Sequence, residues 1–322
     1  MIPPAQLPPP AGPGDRVGVA ALSGPVDPER LERGLATLRR LGFEPVLADN
    51  LLQDVRSRHG LFAGGDAERL AAFHRLAADP GLAAILFARG GSGLMRVLPA
   101  IDWELLRRRP RDYVGYSDLT PFLLEVVRRL GVVAFHGPMV AAEMARGLAP
   151  VEEESLLGAL AGRYPATQPL ARWLREPPAG TTVRGPLLGG CLSLLVSTLG
   201  TPWAPDLAGG LVFWEDVAEP PYRVDRMLTH LGLSGNLAHI AGMVVGHLEG
   251  DGLPGKAPDG EPADWPAVDW PAIVGDSLAG FSWPLAWGLE SGHRAPNRTL
   301  PLGLPARLSV ADSADGLVLG ER

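Results

Sequence analysis

Cysteine, lysine and long apolar runs are almost or wholly missing from this 322-residue chain, and each scarcity excludes a class of chemistry. Cys191 stands alone, which leaves no internal disulfide framework and no cysteine-based zinc site. Lys256 is the only lysine, and it sits in Gly-Leu-Pro-Gly-Lys-Ala-Pro, a surface-loop composition. A Walker phosphate loop, a Schiff-base lysine and a Ser–Lys dyad are excluded with it. No run of about 18 or more apolar residues occurs, so no membrane-spanning helix is expected. Positive charge is short too. Against 36 Asp and Glu stand 29 Lys and Arg, and the net charge of −7 argues against a nucleic-acid partner. The proline-rich start, 1–15, has no cationic segment followed by an apolar one, so a cytoplasmic location is expected. No His-Glu-x-x-His or comparable ligand spacing is present, and neither a metal nor a cofactor is expected.

What is present reads as a folded α/β protein. Hydrophobic residues make up 46% and charged residues 20%, and the length leaves room for two domains with their own cores. Strand and helix signals alternate through the first 140 residues. Val17–Leu22 is a strand candidate; Asp27-Pro28 caps a helix with Leu31, Leu35 and Leu38 on one face, closed by Gly42. Glu44–Leu47 is a second strand, Asp66 caps a helix to Ala78, and Ala83–Ala88 suits a strand buried on both faces. Tyr113–Gly115, a helix over Leu119–Leu130 and Val132–Phe135 complete the series. This predicts a doubly wound, flavodoxin-like parallel sheet over 1–150, with ligands at the carboxyl ends of its strands. Residues 151–183 read as a connector, and 184–322 as a smaller, strand-rich, mixed α/β domain. Within it the expected elements are a buried helix at Cys191–Leu199, a strand at Leu211–Trp214, a helix at Arg223–Leu231 and a strand at Ile240–Val245. A proline- and glycine-rich loop is expected over Gly250–Asp264, and a hairpin across Asp312–Gly316.

The strongest local signal is Tyr113-Val114-Gly115-Tyr116-Ser117-Asp118-Leu119-Thr120. A strand ending at glycine, then a serine, then a helix start lifts a hydroxyl out of the sheet toward exposed N–H groups. Ser117 is therefore a candidate nucleophile, and the lysine count leaves only histidine or a carboxylate as its base. His74 and His230 fall within helical patterns that suit surface or packing roles, and His239 and His247 flank an apolar strand. His136 ends a strand in Phe-His-Gly-Pro on the same crevice as Ser117 and is a candidate for lining it. His293 lies in a loop without a core pattern, where catalytic histidines tend to be placed. Phe213-Trp214-Glu215-Asp216-Val217 offers two carboxylates to orient the imidazole, and composition does not choose between Glu215 and Asp216. Arg89-Gly90-Gly91-Ser92-Gly93 follows a strand, and its N–H groups, Gly91 among them, would form an oxyanion site with the N–H of Asp118. Arg89 is a candidate for a substrate carboxylate or for an ion pair. Cys191, in Leu-Leu-Gly-Gly-Cys-Leu-Ser-Leu-Leu, reads as a buried, inert thiol.

Taken together, Arg-Gly-Gly-x-Gly, Gly-Tyr-Ser-Asp-x-Thr, Phe-His-Gly-Pro, Glu-Asp-Val-x-Glu-x-Pro-Tyr-Arg-x-Asp-Arg-Met-Leu and Gly-His-x-x-Pro-Asn-x-Thr-Leu-Pro-Leu-Gly resemble the L,D-carboxypeptidase family. This serine peptidase family also holds the microcin C immunity hydrolases, and the likeness runs from about Pro13 to Gly303. The resemblance implies a Ser–His–Glu triad of Ser117, His293 and Glu215, with Glu and His supplied by the C-terminal domain. It also implies release of terminal D-alanine from a murein tetrapeptide in cell-wall recycling, and a homodimer. Family members commonly carry tyrosine where Ser92 stands and asparagine where Cys191 stands; both positions adjoin the expected substrate cleft and bear on substrate choice. A microcin C-type immunity hydrolase acting on a peptidyl or aminoacyl nucleotide, with Trp173, Trp203 and Trp214 as the aromatics available for stacking, is the alternative. A non-catalytic module holding an anion at Gly90–Gly93 is a second.

Overall fold

Five short strands and the helices between them build the first sheet from the order in which the chain supplies them. The computed structural model describes residues 5–52, 59–178, 181–249, 268–309 and 316–320. Its first strands are β1 (Arg16–Ala20), β2 (Glu44–Leu47), β3 (Leu82–Phe87), β4 (Asp112–Gly115) and β5 (Ala134–His136). They pair in parallel in the order β5-β4-β3-β1-β2, the doubly wound arrangement expected from the alternation. Helix α1 (Pro28–Arg40) starts where Asp27 accepts the Arg30 N–H at 2.8 Å, and it buries Leu31, Leu35 and Leu38. Helix α2 (Asp66–Ala78) begins one residue earlier than its cap was read. Gly65 is the N-cap, its N–H donating to Glu68 at 2.7 Å, and Asp66 is left to pair with arginines.

The second sheet is mixed. Its strands are β6 (Ala166–Pro169), β7 (Arg172–Arg175), β8 (Val183–Cys191), β9 (Leu211–Val217), β10 (Gly242–Glu249) and β11 (Leu285–Trp287). After β11 comes β12 (Leu300–Leu302), then β13 (Pro305–Ser309) and β14 (Gly316–Leu319). Eight of these nine form one sheet, β6-β14-β13-β8-β9-β10-β11-β7, parallel from β8 to β11 and antiparallel toward both edges. The ninth, β12, leaves it and pairs antiparallel with β5 at the edge of the first sheet.

Three departures from the sequence reading have local causes. Besides the short helix that Glu152-Glu153-Glu154 suggests (α3, Pro150–Leu160), the segment read as a connector holds two edge strands, β6 and β7, whose short sequences carry no period-2 signal. Strand β12 is three residues with a proline at its centre, which an edge position tolerates. Strand β8 precedes the helix expected at Cys191, which begins at Leu192 with Cys191 as its cap (α4, Leu192–Ser197). The β13–β14 pairing is the expected hairpin, though its turn, like the Gly250–Asp264 loop and Lys256, lies outside the described residues.

Gly189 and Gly190 explain why β8 looked unlike a strand. Both take positive φ, +123° and +143°. A side chain at 189 would collide with the Phe213 carbonyl of β9, and one at 190 would lie 2.7 Å from Thr120. Glycine here lets β8 lie between β9 and the helix that starts at Thr120. Substituting Gly189→Ala is expected to cost well over about 3 kcal/mol, through both the clash and the φ it cannot adopt. Recovery of the variant as soluble protein with an unchanged urea midpoint would show that β8 and β9 are not packed this closely.

Candidate active site

Ser117 and Glu215 are positioned by strands, and His293 by the loop between β11 and β12. Ser117 stands two residues past the end of β4, at φ +62°, a value a non-glycine residue rarely adopts. The turn is held by the Leu119 N–H bonding back to the Tyr116 carbonyl at 3.2 Å. Glycine at 90 permits contact from the loop after β3, since a Cβ there would lie 2.9 Å from Ser117 Cβ and 3.4 Å from the Asp118 nitrogen. Among the described residues the N–H of Asp118 has no hydrogen-bond partner. It belongs to the residue that directly follows Ser117.

Glu215 and Asp216 are neighbours on β9, so their side chains take opposite faces of the sheet. Asp216 turns to the start of α4, accepting the Ser193 N–H at 2.7 Å and the Val217 N–H at 2.8 Å. Glu215 turns the other way and is fully buried. There it accepts the His293 backbone N–H at 3.1 Å, and His293 Nδ1 lies 2.6 Å from the same carboxylate oxygen. His293 Nε2 is 3.1 Å from Ser117 Oγ. The hydroxyl, imidazole and carboxylate thus form one continuous chain of hydrogen bonds.

The histidine is held from several sides. Its loop runs from β11 in the second sheet to β12 in the first, and it passes over β9 through Gly292 at φ +128°. A Cβ at 292 would lie 2.7 Å from the Glu215 carboxylate, so only glycine lets the loop come this near. Asn297 Oδ1 accepts the Gly292 N–H at 3.0 Å, and the Asn297 N–H donates at 2.7 Å to Glu152 on α3. Arg146 in turn binds the buried Glu152 with two nitrogens, at 3.1 and 2.5 Å. The edge of the Tyr116 ring meets the imidazole at 4.8 Å between centroids, and its hydroxyl donates to the buried Glu143 at 2.6 Å. Burial lowers the His293 pKa, but the Glu215 carboxylate outweighs it, and the group titrates above its ordinary 6.5.

Other candidates are placed differently. His136 ends β5 as expected, but it is wholly buried under Tyr116 and Phe213, and burial drives its pKa down to about 3. It lies beneath the crevice rather than on its surface, because the rings of Tyr116 and Phe213 pack on it. Cys191 is buried too. Its Sγ lies 3.2 Å from Ser193 Oγ and 3.5 Å from Asp216, and burial raises its pKa well above the usual range. Arg89 is half-buried, donates to the Pro25 carbonyl at 3.2 Å, and has no acidic partner among the described residues. Gly91 and Ser92 are exposed. Glu152 and Asn297 were not singled out from sequence as site residues. Only the Pro-Asn of the histidine motif marked the last of them. No group of three His, Cys, Asp or Glu among the described residues is arranged to hold a metal.

With this geometry established, comparison with known proteins is specific. Residues 17–137 match the LD-carboxypeptidase N-terminal domain model, and residues 184–308 match the LD-carboxypeptidase C-terminal domain model. The chain belongs to the LD-carboxypeptidase family, and it is a hydrolase of the serine-peptidase type. It is 32% identical to the murein tetrapeptide carboxypeptidase of Pseudomonas aeruginosa, over 91% of this chain and 92% of that one. The crystal structure of muramoyltetrapeptide carboxypeptidase from Oxalobacter formigenes superposes with a TM-score of 0.78 at 30% identity, covering 95% of this chain and 99% of that chain. The microcin C7 self-immunity protein MccF of Escherichia coli is more distant, 24% identical over 90% of this chain and 89% of its own.

A base must be neutral to accept a proton, so reaction at Ser117 is expected to fail as pH falls through the His293 pKa. Covalent labelling of Ser117 by a fluorophosphonate, timed by intact mass, should have an acid-limb midpoint above 6.5. In Glu215→Gln that midpoint should move to lower pH and the plateau rate should fall by as much as about 10⁴-fold. A midpoint unmoved by the substitution would separate Glu215 from the imidazole.

Proposed function

We propose that the chain cuts the L,D-amide bond before the terminal D-alanine of a murein tetrapeptide, with Ser117 as nucleophile, His293 as general base and acid, and Glu215 as its orienter. The observation that carries this reading is the unbroken Ser117–His293–Glu215 contact in a chain of this family. Ser117 Oγ attacks the carbonyl carbon of the scissile amide while its proton passes to His293 Nε2. The buried carboxylate holds the ring's own proton on Nδ1 beforehand, which leaves Nε2 bare to accept the serine proton, and it stabilises the imidazolium afterwards. Negative charge on the former carbonyl oxygen is received by the free N–H of Asp118 and the N–H groups of the Gly90–Gly91 loop. A donor of this kind is worth about 10²–10³ in rate. Collapse transfers the His293 proton to the leaving D-alanine nitrogen and leaves an acyl-enzyme. Water, deprotonated by the same imidazole, then hydrolyses it.

A carboxypeptidase must also read a free carboxylate. Arg89 is assigned that role because it borders the glycine loop with a guanidinium that has no acidic partner among the described residues, and its planar fork suits a carboxylate. Exposed Ser92 lies in the same loop and would meet the substrate near its end. Buried Cys191 and His136 would shape the site from beneath. A nucleotide-linked substrate would ask for a free stacking aromatic. Trp214 is fully buried, with its N–H on Met243, and Trp203 is covered by Arg129 at 4.8 Å. The same reading places the enzyme in the cytoplasm as a homodimer, on the family resemblance; light scattering on purified protein tests the dimer.

Ser117→Ala and His293→Ala should each lower D-alanine release by about 10⁴–10⁶ while leaving the circular dichroism spectrum unchanged. Presented with murein tetrapeptide and with an aminoacyl nucleotide, the protein should release D-alanine and not nucleotide; the reverse would transfer it to the immunity hydrolases. Arg89→Ala should raise KM for the tetrapeptide by about tenfold or more. Equal KM values for that variant and the unsubstituted protein would remove Arg89 from carboxylate recognition.

A further inference from the structure

One peptide group in the glycine loop is gripped at both ends by buried charge. The carbonyl of Gly93 accepts from Arg69 Nη1 at 3.0 Å, and the N–H of Leu94, the other end of the same peptide bond, donates to Asp118 Oδ2 at 2.9 Å. Arg69 is wholly buried and Asp118 is 4% exposed. Neither charge is there by accident of the surface. Arg69 is itself held by Asp66 at 2.6 Å, by the Leu22 carbonyl and by the Phe62 ring at 4.9 Å. Asp118 is the residue after Ser117, and its own N–H is the free donor described above.

We propose that Arg69 and Asp118 are positioning residues that lock the 93–94 peptide plane and thereby hold the glycine loop in its oxyanion-binding conformation. Gly91 and Gly93 both stand at φ +112°, where glycine exchanges between left- and right-handed backbone at little cost. A loop with two such joints can flip a peptide plane and turn an N–H away from the reacting oxygen. Flipping the 93–94 plane would aim its carbonyl at the Asp118 carboxylate and its N–H at the Arg69 guanidinium. Both contacts would then be repulsive and buried, where they are screened least. Asp118 has a second consequence, since one residue contributes an oxyanion N–H from its backbone and fixes the facing loop through its side chain. The spacing of the two halves of the oxyanion site is therefore set by a single residue. Gly90, three residues before Gly93, rests against Ser117 Cβ, so a displaced loop would be felt at the nucleophile.

This proposal rests on the reading of Ser117 as nucleophile, and its test is built to fail separately from the substrate assignment. Two readouts are used on Asp118→Ala, Asp118→Asn and Arg69→Lys: steady-state D-alanine release, and the rate of fluorophosphonate labelling. In the labelling step Ser117 Oγ displaces fluoride from phosphorus, its proton goes to His293, and charge develops on the phosphoryl oxygen. No murein peptide is needed. Asp118→Ala should lower kcat and the labelling rate by about 10²-fold, with KM changed by less than about threefold. Asp118→Asn keeps an acceptor for the Leu94 N–H and should stay within about tenfold of the unsubstituted protein. Arg69→Lys keeps the charge but not the reach of the fork, and it should slow kcat without raising KM. If Asp118→Ala does not fold, the other two variants carry the test. Equal losses in Asp118→Ala and Asp118→Asn, a loss confined to KM, or full-rate labelling in every folded variant would overturn the clamp. So would absence of labelling in the unsubstituted protein. Slow labelling of the variants in a protein that releases no D-alanine would support the clamp and overturn the substrate assignment instead.

Discussion

The Glu215 carboxylate is wholly out of solvent, and everything at the site depends on how its charge is answered. One oxygen accepts both the backbone N–H and the ring of His293. The other has no hydrogen-bond partner among the described residues. An ionised carboxylate so placed is expensive unless it is paired, and removing the partner of a buried pair typically costs about 3–5 kcal/mol. The imidazole is therefore as much a requirement of the buried glutamate as the glutamate is of the imidazole. That mutual dependence fixes which nitrogen of His293 faces Ser117.

The two groups come from different sheets, and the chain path brings them together. Leaving β11, the backbone crosses to the edge of the first sheet as β12 and carries His293 over the carboxyl ends of β4 and β9 on the way. Gly292 allows the crossing to touch Glu215, while the Asn297 N–H on Glu152 ties its far end to α3. Ser117 meets this loop from a backbone conformation that costs on the order of 1–3 kcal/mol to hold. The packing of Gly90 on one side and Tyr116 on the other over-determines it. Rigid strand ends and close glycine contacts together replace the solvent reorganisation that a free serine and histidine would need.

Much of this was legible from local pattern, and the reasons for the rest are physical. The cap at Asp27-Pro28, the strand at Glu44–Leu47 and the turn at Ser117 are set by neighbours within a few residues, so the sequence displays them directly. Choosing Glu215 over Asp216 needs the phase of β9 relative to a loop 78 residues away, and no local property contains that. The resemblance to a family supplied it. His136 and Cys191 illustrate the converse: both sit at strand ends, where ligands bind, yet both are buried, His136 against Tyr116 and Phe213 and Cys191 against Ser193 and Asp216. Strands β6, β7 and β12 escaped notice because edge strands lack the alternation that a buried face imposes.

The central claim is that Glu215 holds His293 with its proton on Nδ1, leaving Nε2 to accept from Ser117. Protein labelled with ¹⁵N-histidine reports this directly, since the nitrogen shifts of a neutral imidazole distinguish the protonated nitrogen from the bare one. The account requires that, above its titration midpoint, His293 carries its proton on Nδ1 and leaves Nε2 bare. A neutral ring protonated on Nε2 instead would contradict it, because that tautomer has no lone pair to offer the serine.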